Sequence, residues 1–204
     1  MAAERTASER QAIELFREQG GILRTSEALD LGIHPRTLYG LRNAGLLERV
    51  ARGLYRLAEM PPLADPDLVT VALKVPQAVV CLLSALAYHE LTTHIPHAVH
   101  IALESGSTAP RLRYPPLRIY WFSSAAWHEG IETETLDGVP VRMYGPAKSV
   151  ADAVKYRNKI GLDVALEALR LYCQHEAFDV TELLHYAQVC RVERVITPYL
   201  EALL

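Results

Sequence analysis

Three prolines fall within six residues, at Pro61, Pro62 and Pro66. Proline lacks the amide hydrogen that helix and sheet interiors need, so no regular element runs through this stretch. A chain interrupted in this way folds in two parts. The segment from Met60 to Pro66 reads as a stiff linker, with Asp65 as N-cap and Pro66 at the first position of a new helix. The expected domains are residues 1–60 and 61–204, and the 204 residues suffice to give a core to one or two such domains.

Charge divides at the same place. The whole chain carries a net charge of −3. Residues 1–58 hold nine arginines, no lysine and seven acids. Between residues 31 and 58 there are five arginines and a single acid, Glu48. A small basic unit is thus joined to a larger acidic one, and the chain as a whole is neither a disordered acidic tail nor a uniformly basic nucleic-acid binder. Cys81, Cys173 and Cys190 are an odd number without a C-x-x-C pair, which argues against a disulfide framework or a cysteine-based zinc site. The start of the chain is charged, unlike a signal peptide. The apolar stretch from Val69 to Tyr88 is broken by Lys74, Pro76 and Gln77, unlike a membrane span. A soluble, cytoplasmic protein without membrane contact is expected.

The first part has clear helix punctuation. Thr6 to Glu9 and Ser8 to Gln11 are overlapping capping boxes, followed by Ala12, Ile13, Leu15 and Phe16, and Gly20-Gly21 closes the helix. A second short helix starts near Thr25 or Ser26 and carries Ala28 and Leu29. His34-Pro35 opens a third, with Leu38 and Leu41 inward and Gly45 as its stop. Leu46–Val50 and Leu54–Leu57, joined by Ala51-Arg52-Gly53, read as two strands and a turn. Helix, helix, turn, helix and hairpin is the winged helix-turn-helix order.

The third helix leaves Arg36, Thr37, Tyr39, Gly40, Arg42 and Asn43 outside. Guanidinium forks suit guanine edges and phosphates, amide and hydroxyl groups suit bases or backbone, and tyrosine reaches phosphate. The expected DNA-binding set is Thr25, Arg36, Thr37, Tyr39, Arg42, Asn43, Arg49, Arg52, Tyr55 and Arg56. Arg36 and Arg42 suit either bases or phosphates, as do Arg52 and Arg56 on the hairpin, and residue type alone leaves the division between them open. The expected ligand is double-stranded DNA.

The second part reads as a small sheet followed by helices, so the fold class is α+β. A helix is expected from Asp67 to Val75. Strands are expected at Ala78–Cys81 and Val99–Leu103, with a buried one at Leu117–Phe122. A helix capped by Ser84 runs to Leu91. Asp137-Gly138 between alternating runs marks a hairpin over Ile131–Tyr144. From Pro146 the pattern is helical in about four segments, broken at Gly161, near Phe178-Asp179 and near Cys190-Arg191, which predicts a C-terminal helical bundle.

No constellation of catalytic residues stands out. His89-Glu90 is followed by His94 at i+5, about 140° round a helix, where a zinc-protease helix needs i+4. His97 and His100 fall on opposite faces of a strand. Ser84 has no nucleophile-elbow glycines, and no phosphate-binding glycine loop exists. Glu132, Glu134 and Asp137 lie on a hairpin with alternating exposure. Neither a metal, a cofactor nor an enzymatic activity is expected. The basic cluster Lys155-Tyr156-Arg157-Asn158-Lys159 has two readings: cations at a helix C-terminus, or contacts to a phosphate or an acidic partner.

The run Gly21–Leu38, continued by Gly45-Leu46-Leu47-Glu48-Arg49-Val50-Ala51-Arg52-Gly53-Leu54-Tyr55, resembles the N-terminal domain of AbiEi-type antitoxins, where an R-G-x-Y hairpin follows the helix at a fixed distance. Ser84-Ala85-Leu86 to Thr92, Ile95-Pro96, and Pro146 to Arg157 resemble the antitoxin domain of the same family. Together the matches cover nearly the whole chain. Lys148 departs from the family, which often has arginine there. The resemblance implies a type IV toxin–antitoxin protein that represses its own operon at inverted repeats and counteracts a nucleotidyltransferase-like toxin from that operon. Lys148, Asp152, Lys155, Arg157 and Lys159 are then candidate partner contacts. A winged-helix transcription factor with a ligand-sensing or assembly domain and no toxin is the alternative.

Overall fold

The computed structural model describes residues 6–204. By their contacts the residues fall into two units. The first runs to Leu73 and includes Leu136–Val139. The second comprises Lys74–Thr135 and Pro140–Leu204.

The first unit opens with α1 (Ala7–Glu18). Of the two candidate capping boxes the first is used: the Glu9 amide donates to Thr6 Oγ1 at 3.2 Å, and the Thr6 amide donates to Glu9 Oε2 at 2.9 Å. Gly20 and Gly21 both take positive φ and turn the chain into β1 (Ile22–Arg24), a strand too short to leave a periodic signal. Next come α2 (Thr25–Asp30), α3 (Pro35–Asn43), β2 (Leu47–Ala51) and β3 (Leu54–Leu57). The three strands form an antiparallel sheet ordered β1-β3-β2. Phe16, Ala28, Leu38 and Leu41 are fully buried and form one core with Leu47, Tyr55 and Leu57. α4 (Pro66–Lys74) begins at Pro66, and the Leu68 amide donates to Asp65 Oδ1 at 2.9 Å, so the expected cap is present. Val69 of α4 joins Ile22, Leu54 and Val139 in a second apolar cluster, and the Ala64 amide donates to Asp137 Oδ2 at 3.0 Å.

The second unit contains β4 (Val79–Val80), α5 (Leu82–Tyr88), β5 (Val99–Glu104), β6 (Leu117–Phe122) and α6 (Ser124–His128). The hairpin strands β7 (Ile131–Leu136) and β8 (Val139–Tyr144) follow. Asp137 and Gly138 both have positive φ, the backbone that a two-residue hairpin turn requires. The sheet is ordered β6-β5-β4-β8-β7. β5 runs parallel to β6 and antiparallel to β4, and β4 runs parallel to β8. Five helices end the chain: α7 (Pro146–Lys155), α8 (Arg157–Ile160), α9 (Leu162–Tyr172), α10 (Val180–Val189) and α11 (Glu193–Leu203). Their breaks fall at Gly161, Asp179 and Cys190-Arg191, as expected, with one more at Tyr156. A core of Leu86, Val150, Leu169, Tyr172, Leu183 and Ile196 joins them to α5.

Two expectations are corrected. Ser84 does not cap α5; Cys81 is the N-cap, and Ser84 Oγ accepts the His100 amide at 2.9 Å, fastening the helix to β5. The strand Leu117–Phe122 is not buried throughout. It is an edge strand in which Tyr120 and Phe122 are buried and Trp121 is 46% exposed. An apolar run does not separate a central strand from an edge whose outer side meets water.

Lys148 and Asp152 sit one turn apart inside α7, 0% and 1% exposed, with Nζ 2.6 Å from Oδ2. Lys148 Nζ also lies 4.1 Å from the centroid of the Tyr144 ring, and the Cys190 thiol donates to Asp152 Oδ1 at 3.1 Å. Removing one partner leaves a bare buried charge. Asp152→Ala is expected to cost about 3–5 kcal/mol in urea unfolding, and Lys148→Met combined with Asp152→Leu to recover most of it.

Glu167 on α9 gathers the turn after α5. It accepts from Thr93 Oγ1 at 2.7 Å and from Thr92 Oγ1 at 2.8 Å, and lies 3.3 Å from His94 Nδ1. These bonds, Thr93 first, lower its pKa to about 2. A carboxylate whose folded pKa lies below its unfolded one adds stability above the unfolded value and loses it as pH falls through the folded value. Glu167→Gln is therefore expected to be less stable than the parent above pH ~5 and to converge with it toward pH ~2 in urea melts.

Candidate nucleic-acid interface

The outward face of α3 is set by its inward one. Leu38 and Leu41 are both 0% exposed, and at 100° per residue this turns Arg36, Tyr39 and Asn43 to solvent. Thr37 and Arg42 are half-buried. His34 Nδ1 caps the helix by accepting the Arg36 amide at 3.1 Å, and Pro35 occupies the first helical position. Gly45, at φ 73°, ends the segment. His34 is exposed at the amino end of α3 and lay outside the expected set, although His-Pro marked the cap.

Three of the expected side chains organise one another. The Arg42 guanidinium lies 5.3 Å from the centre of the Tyr39 ring and donates to Asn43 Oδ1 at 2.8 and 3.2 Å. The Tyr39 ring meets the Tyr55 ring edge-on at 6.4 Å. The result is a guanidinium fork held beside an amide, a shape suited to base edges or to phosphate.

The β2–β3 turn is joined to the start of α2, because the Thr25 amide donates to the Gly53 carbonyl at 3.0 Å. Thr25 is half-buried. Arg49 and Arg52 are exposed on this hairpin, and Arg49 Nε donates to the Ala51 carbonyl at 3.2 Å.

Tyr55 and Arg56 do not reach the surface; each is 4% exposed. Arg56 lies opposite Glu48 in the register, 2.7 Å from its carboxylate, and donates to the carbonyls of Met60 and Pro61 at 2.7 and 2.5 Å. It fastens the hairpin to the chain beyond β3, while Tyr55 supports Tyr39. Glu48 pairs with Arg56, and no ion pair joins Arg36, Arg42 or Arg49 to a carboxylate among the described residues.

In the second unit the candidate partner residues separate. Lys148 and Asp152 are buried against each other and offer nothing to a partner surface. Lys155 Nζ donates to the Cys190 carbonyl at the end of α10, and Arg157 donates to the Val154 carbonyl at the end of α7, both at 2.8 Å. Of the two readings of this cluster, these two residues follow the helix C-terminus one. Lys159 is exposed over the rings of Tyr120 and Tyr156. No group of histidine, cysteine and carboxylate side chains suited to hold a metal occurs among the described residues, and no helix there is long and apolar enough to cross a membrane.

No curated protein matches the chain. Among solved structures it is similar to the crystal structure of the RV2827C protein from Mycobacterium tuberculosis, with 12% identity and a TM-score of 0.53. The match covers 98% of this chain and 83% of that one, a likeness of fold alone. The family model described as "Transcriptional regulator, AbiEi antitoxin" matches residues 10–58, the segment that carries α3 and the hairpin. Over that segment the chain is similar to transcriptional regulators described as AbiEi antitoxins.

Proposed function

We propose that residues 1–60 form a winged helix-turn-helix that places α3 in the major groove of operator DNA, with the β2–β3 hairpin as the wing beside it. The Tyr39–Arg42–Asn43 arrangement on the solvent side of α3 carries this reading. Residues 61–204 are the antitoxin domain of a type IV system. In it the protein represses its own operon at inverted repeats and counteracts a nucleotidyltransferase-like toxin encoded beside it. The family likeness of residues 10–58 supports the regulator half, and the family-like segments from Ser84 to Thr92 and Pro146 to Arg157 support the antitoxin half. Regulation without catalysis agrees with both.

Arg36→Ala and Arg42→Ala are each expected to weaken binding to the cognate site by about 1–3 kcal/mol and to random duplex by less, as measured by fluorescence anisotropy. Arg49→Ala is expected to weaken both duplexes alike and to lower the salt slope by about one. Arg56→Met belongs to another class. It removes a buried ion-paired hub, so its loss is expected in thermal stability and not in the salt slope of the folded fraction. If α3 and hairpin variants bind both duplexes as the parent does, the interface is misassigned. Co-expression with the adjacent toxin-like gene tests the second half. Rescue of growth supports it, and unchanged toxicity favours a winged-helix regulator whose second domain senses a ligand or mediates assembly.

A further inference from the structure

On the edge of the second sheet, a lysine reaches over a pair of rings on the face that also carries an arginine and a buried histidine. In the parallel register of β5 and β6, His100 lies beside Arg118 and Ala102 beside Tyr120. His100, Arg118 and Tyr120 therefore share a face, because side chains alternate along a strand. Arg118 is exposed on β6, two residues before the buried Tyr120. The Tyr156 ring stands edge-on to Tyr120 at 5.3 Å. From α8, Lys159 Nζ reaches within 5.8 Å of the Tyr120 centroid and 5.5 Å of the Tyr156 centroid.

Nothing acidic answers these charges. No ion pair joins Arg118 or Lys159 to a carboxylate among the described residues. From Ser105 to His128 the sequence has three arginines and no acid. Beside them, His100 is 3% exposed, its ring 5.5 Å from Tyr120, and its Nδ1 is buried without a hydrogen-bond partner. A buried polar atom left unpaired costs free energy unless something completes it.

We propose that Arg118, Lys159 and His100 form a binding site for a phosphate group around Tyr120. A guanidinium fork, an ammonium and a ring N–H together match the several oxygens and the double charge of a phosphate better than the two oxygens of a carboxylate. Burial and the neighbouring Arg118 lower the His100 pKa to about 4, so at neutral pH the imidazole is uncharged, and its Nδ1–H tautomer donates. The site lies wholly in the second unit and does not rest on the operator-binding reading. The phosphate belongs to a free nucleotide or to a nucleic-acid backbone, which share this chemistry.

The full chain, titrated with inorganic phosphate at constant ionic strength, tests the site by calorimetry and by NMR of the His100 ring. The expected result is saturable binding that shifts the ring signals, weakened about tenfold by Arg118→Gln and by Lys159→Gln but unchanged by Arg194→Gln. Arg118→Lys, which keeps the charge and loses the fork, serves if the glutamine variant fails to fold. Displacement by a mononucleotide assigns a free ligand, displacement by duplex DNA alone assigns a backbone, and either supports the site. The absence of saturable binding, an unmoved His100 ring, or equal weakening by Arg194→Gln overturns it.

Discussion

The orientation of α3 depends on two leucines. Leu38 and Leu41 are closed off from water against Phe16, Leu47 and Leu57, and a helix so anchored cannot rotate without exposing them. Burying a leucine side chain contributes about 1.5–3 kcal/mol, so the pair holds the helix more firmly than any contact on its solvent side. Arg36, Tyr39 and Asn43 point outward because these two point inward. The caps at His34 and Gly45 then limit the helix to the turns that carry the polar residues.

On this unit one arginine is withdrawn from the surface and pairs with an exposed acid. Glu48 is the single acid between residues 31 and 58, and the register of β2 with β3 sets it opposite Arg56. That pairing takes one arginine inside and neutralises the acid, while Arg36, Arg42, Arg49 and Arg52 stay outside or partly so. The two carbonyls that Arg56 also engages compensate its burial, which a lone ion pair does poorly. Residues 31–58 hold five arginines against one acid, an imbalance that favours long-range attraction to a polyanion.

The second unit manages its charges differently. Lys148 is kept inside by Asp152 and by the faces of Tyr144 and Phe122. Tyr156 stacks on Phe122 and meets Tyr120 edge-on, so one aromatic layer runs from the buried lysine to the exposed Lys159. Lys159 lies over the outer end of that layer, and Arg118 shares the strand face of Tyr120.

Local chemistry decided much of this protein from the sequence. Caps, glycine stops, proline positions and the Asp137-Gly138 turn act through the backbone within a few residues, so Thr6, Asp65, Gly45 and the hairpin at Ile131–Tyr144 were legible in advance. The apolar spacing of Leu38 and Leu41 likewise determined which face of α3 is presented. What tertiary structure alone decided are pairings between distant segments. β1 and α6 are too short to leave a period. Ser84 carries the same side chain whether it caps a helix or holds a strand amide sixteen residues away. Tyr55, Arg56, Lys148 and Asp152 look like surface residues by type. They are buried because register and helix packing supply partners, and a charge goes inside only where such partners exist.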